Sequence, residues 1–308
     1  MTGTALILGG SGRFGRNAAE AFWNAGWRVT LFNRATEDLT QAAQGADVIV
    51  NGWNPAYPDW QAQLPGLTSQ VIAAAKSSGA TVILPGNVYV YGKDAPAGFG
   101  KDTPHIATNP MGRLRIEMEQ SYRAAGVPTI ILRAGDYLDT DASGNWFDLM
   151  MAPSLKRGRL TYPGPLDRPH AWAFLPDVAR AAVALAEMRT DLPDFSDIAF
   201  PGYTLTGNEL AALCGQALDR PVRARRMLWL PLQVAAPFWA TARCLLEMRY
   251  LWSKPHHMEA SAFDGLLPKF AATDPVDALA QAIAPVLNGA SPDRPRQGDA
   301  ARRPAPAG

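Results

Sequence analysis

The sequence predicts an α/β protein, a doubly wound parallel sheet with a smaller C-terminal α+β unit, and three observations predict it. An apolar run, Thr4 to Leu8, passes straight into Gly9-x-x-Gly12-x-x-Gly15, and the pattern then turns helical. Strand-like and helix-like segments alternate from there to about residue 190, as in a sheet covered on both faces. Beyond 190 the alternation ends.

Each element has its own signal. Thr4 to Leu8 has no polar face, so it reads as a strand buried on both sides. Gly9 and Gly12 let the chain turn tightly, and Gly15 lets the next helix pack close. That helix carries Phe14, Ala18, Phe22 and Ala25 at helical spacing, and its free amides would face an anion. The set reads as a cradle for a dinucleotide pyrophosphate, with Trp27 to Phe32 the second strand. Asp47 to Val50 is a strand, Leu67 to Ser77 a helix closed by Gly79, and Thr81 to Leu84 a strand. Met111 to Ala125 is a helix stopped by Gly126, Thr129 to Arg133 a strand, and Asp177 opens a helix with Val178, Ala181, Ala182, Leu185 and Met188 on one face. Asp197 to Phe200 is a short strand, and Thr206-Gly-Asn-Glu209 is a capping box opening a helix through Ala217. Pro221 to Arg226 reads as an exposed basic strand, whose Arg223, Arg225 and Arg226 either serve a diphosphate or only blunt a sheet edge. Residues 227 to 252 are long and apolar, but Pro231, Pro237, Arg243, Glu247 and Arg249 interrupt them. They predict two short helices on the body of the protein, as a cover over a cleft, an oligomer contact or a peripheral membrane contact.

Composition narrows the class. With 308 residues, 47 % of them hydrophobic and 19 % charged, most of the chain should fold, and nothing marks a membrane span. A net charge of +1 gives no reason to expect nucleic acid as a partner. Cys214 and Cys244 stand outside any metal-spaced cluster, so no metal is expected, and both read as buried thiols of a reducing, cytoplasmic compartment. The first strand begins at the N-terminus, where no signal peptide fits.

The second strand ends Leu31-Phe32-Asn33-Arg34, where an NAD-preferring site would place an acidic residue for the ribose hydroxyls. Arg34 offers a fork of donors to a 2′-phosphate, and Arg13 in the glycine loop can face the same group. NADP(H) is therefore favoured over NAD(H); the alternative is a solvated strand end.

By these landmarks the chain resembles the extended and atypical short-chain dehydrogenases/reductases, the NAD-dependent epimerase/dehydratase group, over about residues 4–285. Gly9-Gly-Ser11-Gly12-Arg13-Phe14-Gly15 matches that family's phosphate loop, and Asp47-Val-Ile-Val-Asn-Gly52 the strand whose end passes the nicotinamide ribose. Asn87-Val-Tyr-Val-Tyr91-Gly92 sits where the family has a Ser and a Val-Tyr-Gly turn. Ile131-Leu-Arg133-Ala-Gly135-Asp136 matches the strand end that cups the nicotinamide, and Trp172 to Ala179 the Asp-containing helix start. The resemblance implies a Rossmann NAD(P)-binding domain from 1–135 and 168–190, a substrate-binding domain from 136–167 and 191–285, and a disordered tail over 286–308. It also implies a homodimer through the helices at 67–77 and 111–125.

Departures from the family bear on chemistry. Its proton-transferring Tyr falls on Met111 and its Lys on Arg115, which keeps the charge and can hold ribose hydroxyls but is no acid near neutral pH. Asn87 replaces the Ser. The expected catalytic set is then Asn87, Tyr89 and Arg115, with Asn87 and Arg115 also on the cofactor; Tyr91 reads as packing. His170 resembles in position a basic residue on the substrate side, and Asn54-Pro-Ala-Tyr57-Pro-Asp-Trp60 either walls the substrate site or caps the sheet. Asn54, Tyr57, Tyr89, Met111, Asp136 and His170 are the expected substrate contacts. Only twelve residues separate Arg34 from Asp47. They fit one short helix, about Thr36 to Gln44, so an edge strand should be missing and Asp38 and Leu39 should border the adenine. Two functions follow: an NADP(H)-dependent oxidoreductase or epimerase-like enzyme on a carbonyl or alcohol of a small molecule, or a non-catalytic NADP(H)-binding redox sensor.

Overall fold

A computed structural model describes residues 2–289. The chain runs β1 (Thr4–Leu8), α1 (Arg13–Asn24), β2 (Arg28–Phe32), α2 (Leu39–Ala42), β3 (Val48–Asn51), α3 (Trp60–Ser78), β4 (Thr81–Gly86), β5 (Gly98–Phe99), α4 (Pro110–Ala125), β6 (Thr129–Arg133) and β7 (Asp136–Leu138). It continues through β8 (Arg159–Tyr162), β9 (His170–Phe174), α5 (Leu175–Glu187), β10 (Phe195–Ala199), β11 (Tyr203–Leu205), α6 (Gly207–Ala217) and β12 (Arg223–Arg226). The last elements are α7 (Leu230–Ala235), α8 (Ala240–Glu247), β13 (His257–Met258), α9 (Ser261–Leu266) and α10 (Pro275–Leu287).

Six strands make the central parallel sheet in the order β10-β6-β4-β3-β1-β2, the doubly wound arrangement the sequence predicts. Strand β1 shows why both faces are apolar. Leu6 and Leu8 pack with Ile49, Val71, Leu84 and Tyr122 under α3 and α4, while Ala5 and Ile7 pack with Phe22, Val50 and Leu185 under α1 and α5. A third core, around Trp172, Tyr162, Phe147 and Leu279, fills the smaller lobe behind the three-stranded sheet β11-β9-β7. The strand order reverses between β1 and β3, and the crevice at the carboxyl ends of those strands is where such sheets take ligands.

Several expected boundaries shift. Helix α3 starts at Trp60 rather than Leu67, carrying Pro65 inside it, because burial of Trp60 and Leu64 outweighs the single lost backbone donor. Between Arg34 and Asp47 the helix shrinks to the four residues of α2: Thr36 and Glu37 turn back onto the Asn33 carbonyl, and Asp38 caps at Gln41 N. No strand lies there, so β2 is the sheet edge. Phe195–Ala199, expected in the smaller unit, is the outermost strand of the central sheet, in register with Thr129–Arg133. Conversely, His170–Phe174 leaves the nucleotide-binding half and pairs with β7 and β11. Val286 and Leu287 end α10 instead of opening the tail; the rest of that expected tail, from 290, lies outside the described residues. Cys214 is buried as expected, but Cys244 on α8 is only half-buried. Among the described residues no helix is long and apolar enough to cross a membrane.

Candidate cofactor and substrate site

The glycine loop lies at the reversal point. Gly9 has φ +71°, which L side chains rarely adopt, and its carbonyl accepts from Gly12 N at 2.8 Å to close the turn. Gly12 is the N-cap of α1 and supplies no side-chain partner to the helix amides, which leaves them able to receive an anion. A Cβ on Gly15 would lie 2.2 Å from the Gly9 carbonyl oxygen, and one on Gly52 2.7 Å from that of Leu8. The loop, α1 and the end of β3 therefore close on one another only as glycines, and the cradle fits a pyrophosphate. Phe14 is buried beneath it and Ser11 is exposed at its lip.

At the end of β2, Arg34 is exposed with its guanidinium 6.0 Å from the Trp53 ring, and Phe32 meets the same indole at 5.8 Å. Trp53, next to Gly52, completes this corner. Sequence reading passed over it, although an aromatic directly after the glycine of a buried strand was a usable signal. Asp38 accepts from Gln41 N, and Leu39 packs into the core. Arg13 turns the other way and donates to the Ser143 carbonyl at 3.1 Å, while Arg16 and Asn17 bind Asp139 at 2.7 and 3.1 Å. Loop 139–148 is thereby fastened over the first turns of α1. Within it, burial raises the Asp148 carboxyl to about 6, although Asn145 N and Gly144 N bond to it.

On the far side of β3 and β4, Tyr57 and Tyr89 join hydroxyl to hydroxyl at 2.8 Å. Asn87 caps the turn that carries Tyr89, accepting from Tyr89 N at 3.0 Å. Arg115, on α4, is 7 % exposed; it donates to the Pro85 carbonyl at 3.1 Å, lies 5.1 Å from the Trp60 ring, and its Nε has no partner. Burial lowers its pKa, as expected for a desolvated cation. Burial raises the phenol pKa of both tyrosines, that of Tyr89 well above its ordinary value, and the negative charge of Asp136 adds to the rise. Both are therefore neutral hydroxyls near neutral pH. Met111 is in the core with its N–H bonded to Glu247 at 2.7 Å, and Asn54 is exposed on the loop before α3. Tyr91 stacks on Phe99 at 4.1 Å, a packing role.

Asp136, at the start of β7, bonds His170 Nε2 at 2.6 Å. His170 is buried, stacked on Trp252 at 4.2 Å with the rings 3° from parallel, and 4.5 Å from the His256 ring. Its Nδ1, His256 Nε2, Trp172 Nε1 and the Tyr162 hydroxyl are buried without partners, so this corner has unspent hydrogen-bonding capacity. Behind it stands a cluster that sequence reading missed. Arg133, fully buried, pairs with Asp197 at 2.6 Å and Glu119 at 2.8 Å and donates to the Asn87 carbonyl at 2.6 Å. His105 approaches both carboxylates at 3.5–3.6 Å, but the guanidinium already bridges them.

No family model matches the sequence, and no curated protein does. Among solved structures the chain is similar to the UDP-Glc/GlcNAc 4-epimerase from Campylobacter jejuni (TM-score 0.68, 15 % identity, 93 % of this chain and 99 % of that one). It is likewise similar to the UDP-glucuronic acid 4-epimerase from Bacillus cereus in complex with UDP-glucuronic acid and NAD (0.69, 14 %, 92 % and 99 %). A third is TunA, an NAD-dependent NDP-hexosamine 5,6-dehydratase (0.68, 14 %, 95 % and 100 %). At these identities the shared property is the fold, over nearly the full length of each chain.

Proposed function

We propose that this protein is an NADP(H)-dependent oxidoreductase or epimerase-like enzyme acting on the carbonyl or alcohol of a small molecule. The observation that carries the reading is the Tyr57–Tyr89 hydroxyl pair, flanked by Arg115 and Asp136 beyond the glycine cradle. Gly9, Ser11, Gly12, Arg13, Phe14 and Gly15 form the phosphate loop, Gly52 clears the way for the ribose, and Arg34 takes a 2′-phosphate. A bound nicotinamide supplies or accepts hydride. Tyr89, relayed by Tyr57, donates a hydrogen bond to the substrate oxygen, the task of a neutral phenol in a dry site. Arg115 holds ribose hydroxyls through its guanidinium, whose buried Nε has no partner within the protein. Asp136, more exposed than His170, takes the proton that the substrate alcohol loses as its hydride leaves, becoming a neutral carboxylic acid, and returns it in the reverse direction, while its bond to His170 Nε2 holds the carboxyl in place.

Met111 favours a second reading, since it has no exchangeable proton and is held in the core: an NADP(H)-binding sensor without turnover. Fluorescence titration with NADPH and NADH, followed by a carbonyl and alcohol screen, separates the two. Turnover that Tyr89→Phe abolishes supports the enzyme, and tight NADPH binding with no turnover on any substrate supports the sensor. Affinity for neither nucleotide refutes both.

A further inference from the structure

The face built by β12 and the α7–α8 turn combines two properties that the near-neutral net charge conceals. It is apolar: Phe238 is 94 % exposed and Leu228 80 %, with Leu230, Val234 and Trp239 also open to solvent. Leu230 and Val234 stand four residues apart on one side of α7, and Phe238 and Trp239 form the turn into α8, so five large apolar side chains are exposed within residues 228–239. It is also cationic without compensation. From Pro221 to Leu246 the chain has four arginines, Arg223, Arg225, Arg226 and Arg243, and no acidic residue.

Like charges are placed together on this face. Arg223 lies in register beside Arg159 of β8, among the described residues the only strand that β12 pairs with. Among the described residues Arg159, Arg223, Arg225, Arg226 and Arg243 take part in no ion pair. Arg243 donates to the Ala236 and Pro237 carbonyls, which holds its charge beside Phe238. Arg226 is two residues from Leu228, so cation and exposed apolar side chain are near neighbours along the chain.

We propose that this face docks on an anionic membrane surface, with Leu228, Leu230, Phe238 and Trp239 entering the interface and the arginines of β12 on the lipid phosphates. Clustered arginines beside exposed aliphatic and aromatic side chains are the pairing such a surface rewards, and Trp belongs at the headgroup level. A second copy fits worse. A twofold contact through this face would gather its arginines and those of the second copy into one interface, to which residues 221–246 bring no carboxylate.

The test is cosedimentation of the full chain with vesicles of phosphatidylcholine alone and of an equimolar mixture with phosphatidylglycerol. Partitioning onto the anionic vesicles should be about tenfold or more stronger and should fall as salt is raised. Arg225→Ala and Arg226→Ala should each weaken it about fivefold. Phe238→Ser should weaken it about tenfold or more. Far-ultraviolet dichroism and NADPH titration check that each variant is folded; if one is not, the others decide. The proposal is overturned by equal partitioning onto both vesicle types, or by folded variants that partition like the parent. Self-association that Phe238→Ser abolishes, with no vesicle binding, would also overturn it.

Discussion

Tyr57 and Tyr89 arrive from different elements and meet through their only polar atoms, oxygen to oxygen at 2.8 Å. Each hydroxyl satisfies the other where burial would make a lone one costly, and one donor proton is left over for a substrate. Tyr89→Phe should lower kcat about a hundredfold or more with NADPH affinity unchanged. Tyr57→Phe should cost about 1–3 kcal/mol of stability by stranding the Tyr89 hydroxyl. Steady-state kinetics and urea unfolding of the two variants read these out.

Gly15→Ala tests the cradle. Its Cβ would lie 2.2 Å from the Gly9 carbonyl oxygen, and backbone faces backbone, so no side chain can swing aside. Loss of measurable dinucleotide affinity is expected, with a stability cost of about 2 kcal/mol or more. Nucleotide fluorescence titration and thermal unfolding are the measurements.

Arg34→Glu should weaken NADPH binding about tenfold or more, by removing a cation and facing the 2′-phosphate with a carboxylate, while NADH affinity holds or improves. Parallel titrations decide it, and an equal change for both nucleotides would remove Arg34 from the cofactor site.

Arg133→Ala should destabilise the protein by about 3–5 kcal/mol, because it leaves the buried Glu119 and the partly buried Asp197 without their counter-charge. Urea unfolding measures it. Nucleotide affinity measured below the new unfolding midpoint should change little, since the guanidinium lies behind Asn87 and not in the cleft.

Acid should weaken the fold through His256. Burial, reinforced by His170, pushes this imidazole down to about 3. As pH falls below the ordinary value of about 6.5, the unfolded chain takes up a proton that the folded chain refuses, so stability is lost at up to about 1.4 kcal/mol per pH unit. Asp148 acts in the opposite sense: its carboxyl, raised to about 6, favours the folded state as it protonates. His256→Gln removes the first effect and keeps the second. Between about pH 7 and pH 5 the variant should lose less stability than the parent in urea unfolding.

The sheet and the phosphate loop were legible in the sequence because both rest on local patterns. Thr4–Leu8 announces a two-sided strand, and Gly9, Gly12 and Gly15 announce a turn that only glycine permits. The missing edge strand was legible from a length, the twelve residues between Arg34 and Asp47. What could not be read depends on distant pairs. Arg133 looks like an ordinary strand end until β10 brings Asp197 beside it and α4 brings Glu119. Phe195–Ala199 carries no mark of which sheet it joins, and its place is settled by pairing with β6 rather than by its own residues. His170 and Asp136 were both singled out as substrate contacts, yet their bond to each other appears only once β7 and β9 lie side by side.

The sheet stops at β2, and this bears on how a guest would leave. A dinucleotide gripped at the glycine loop would set its purine end against this rim, where Arg34, Phe32 and Trp53 stand together. Among the described residues no further strand pairs with β2 on that flank, and the α2 that follows is a single turn. The residence time is then set by the hold on the phosphates, and a change at Gly12 or Gly15 would be felt first as faster escape.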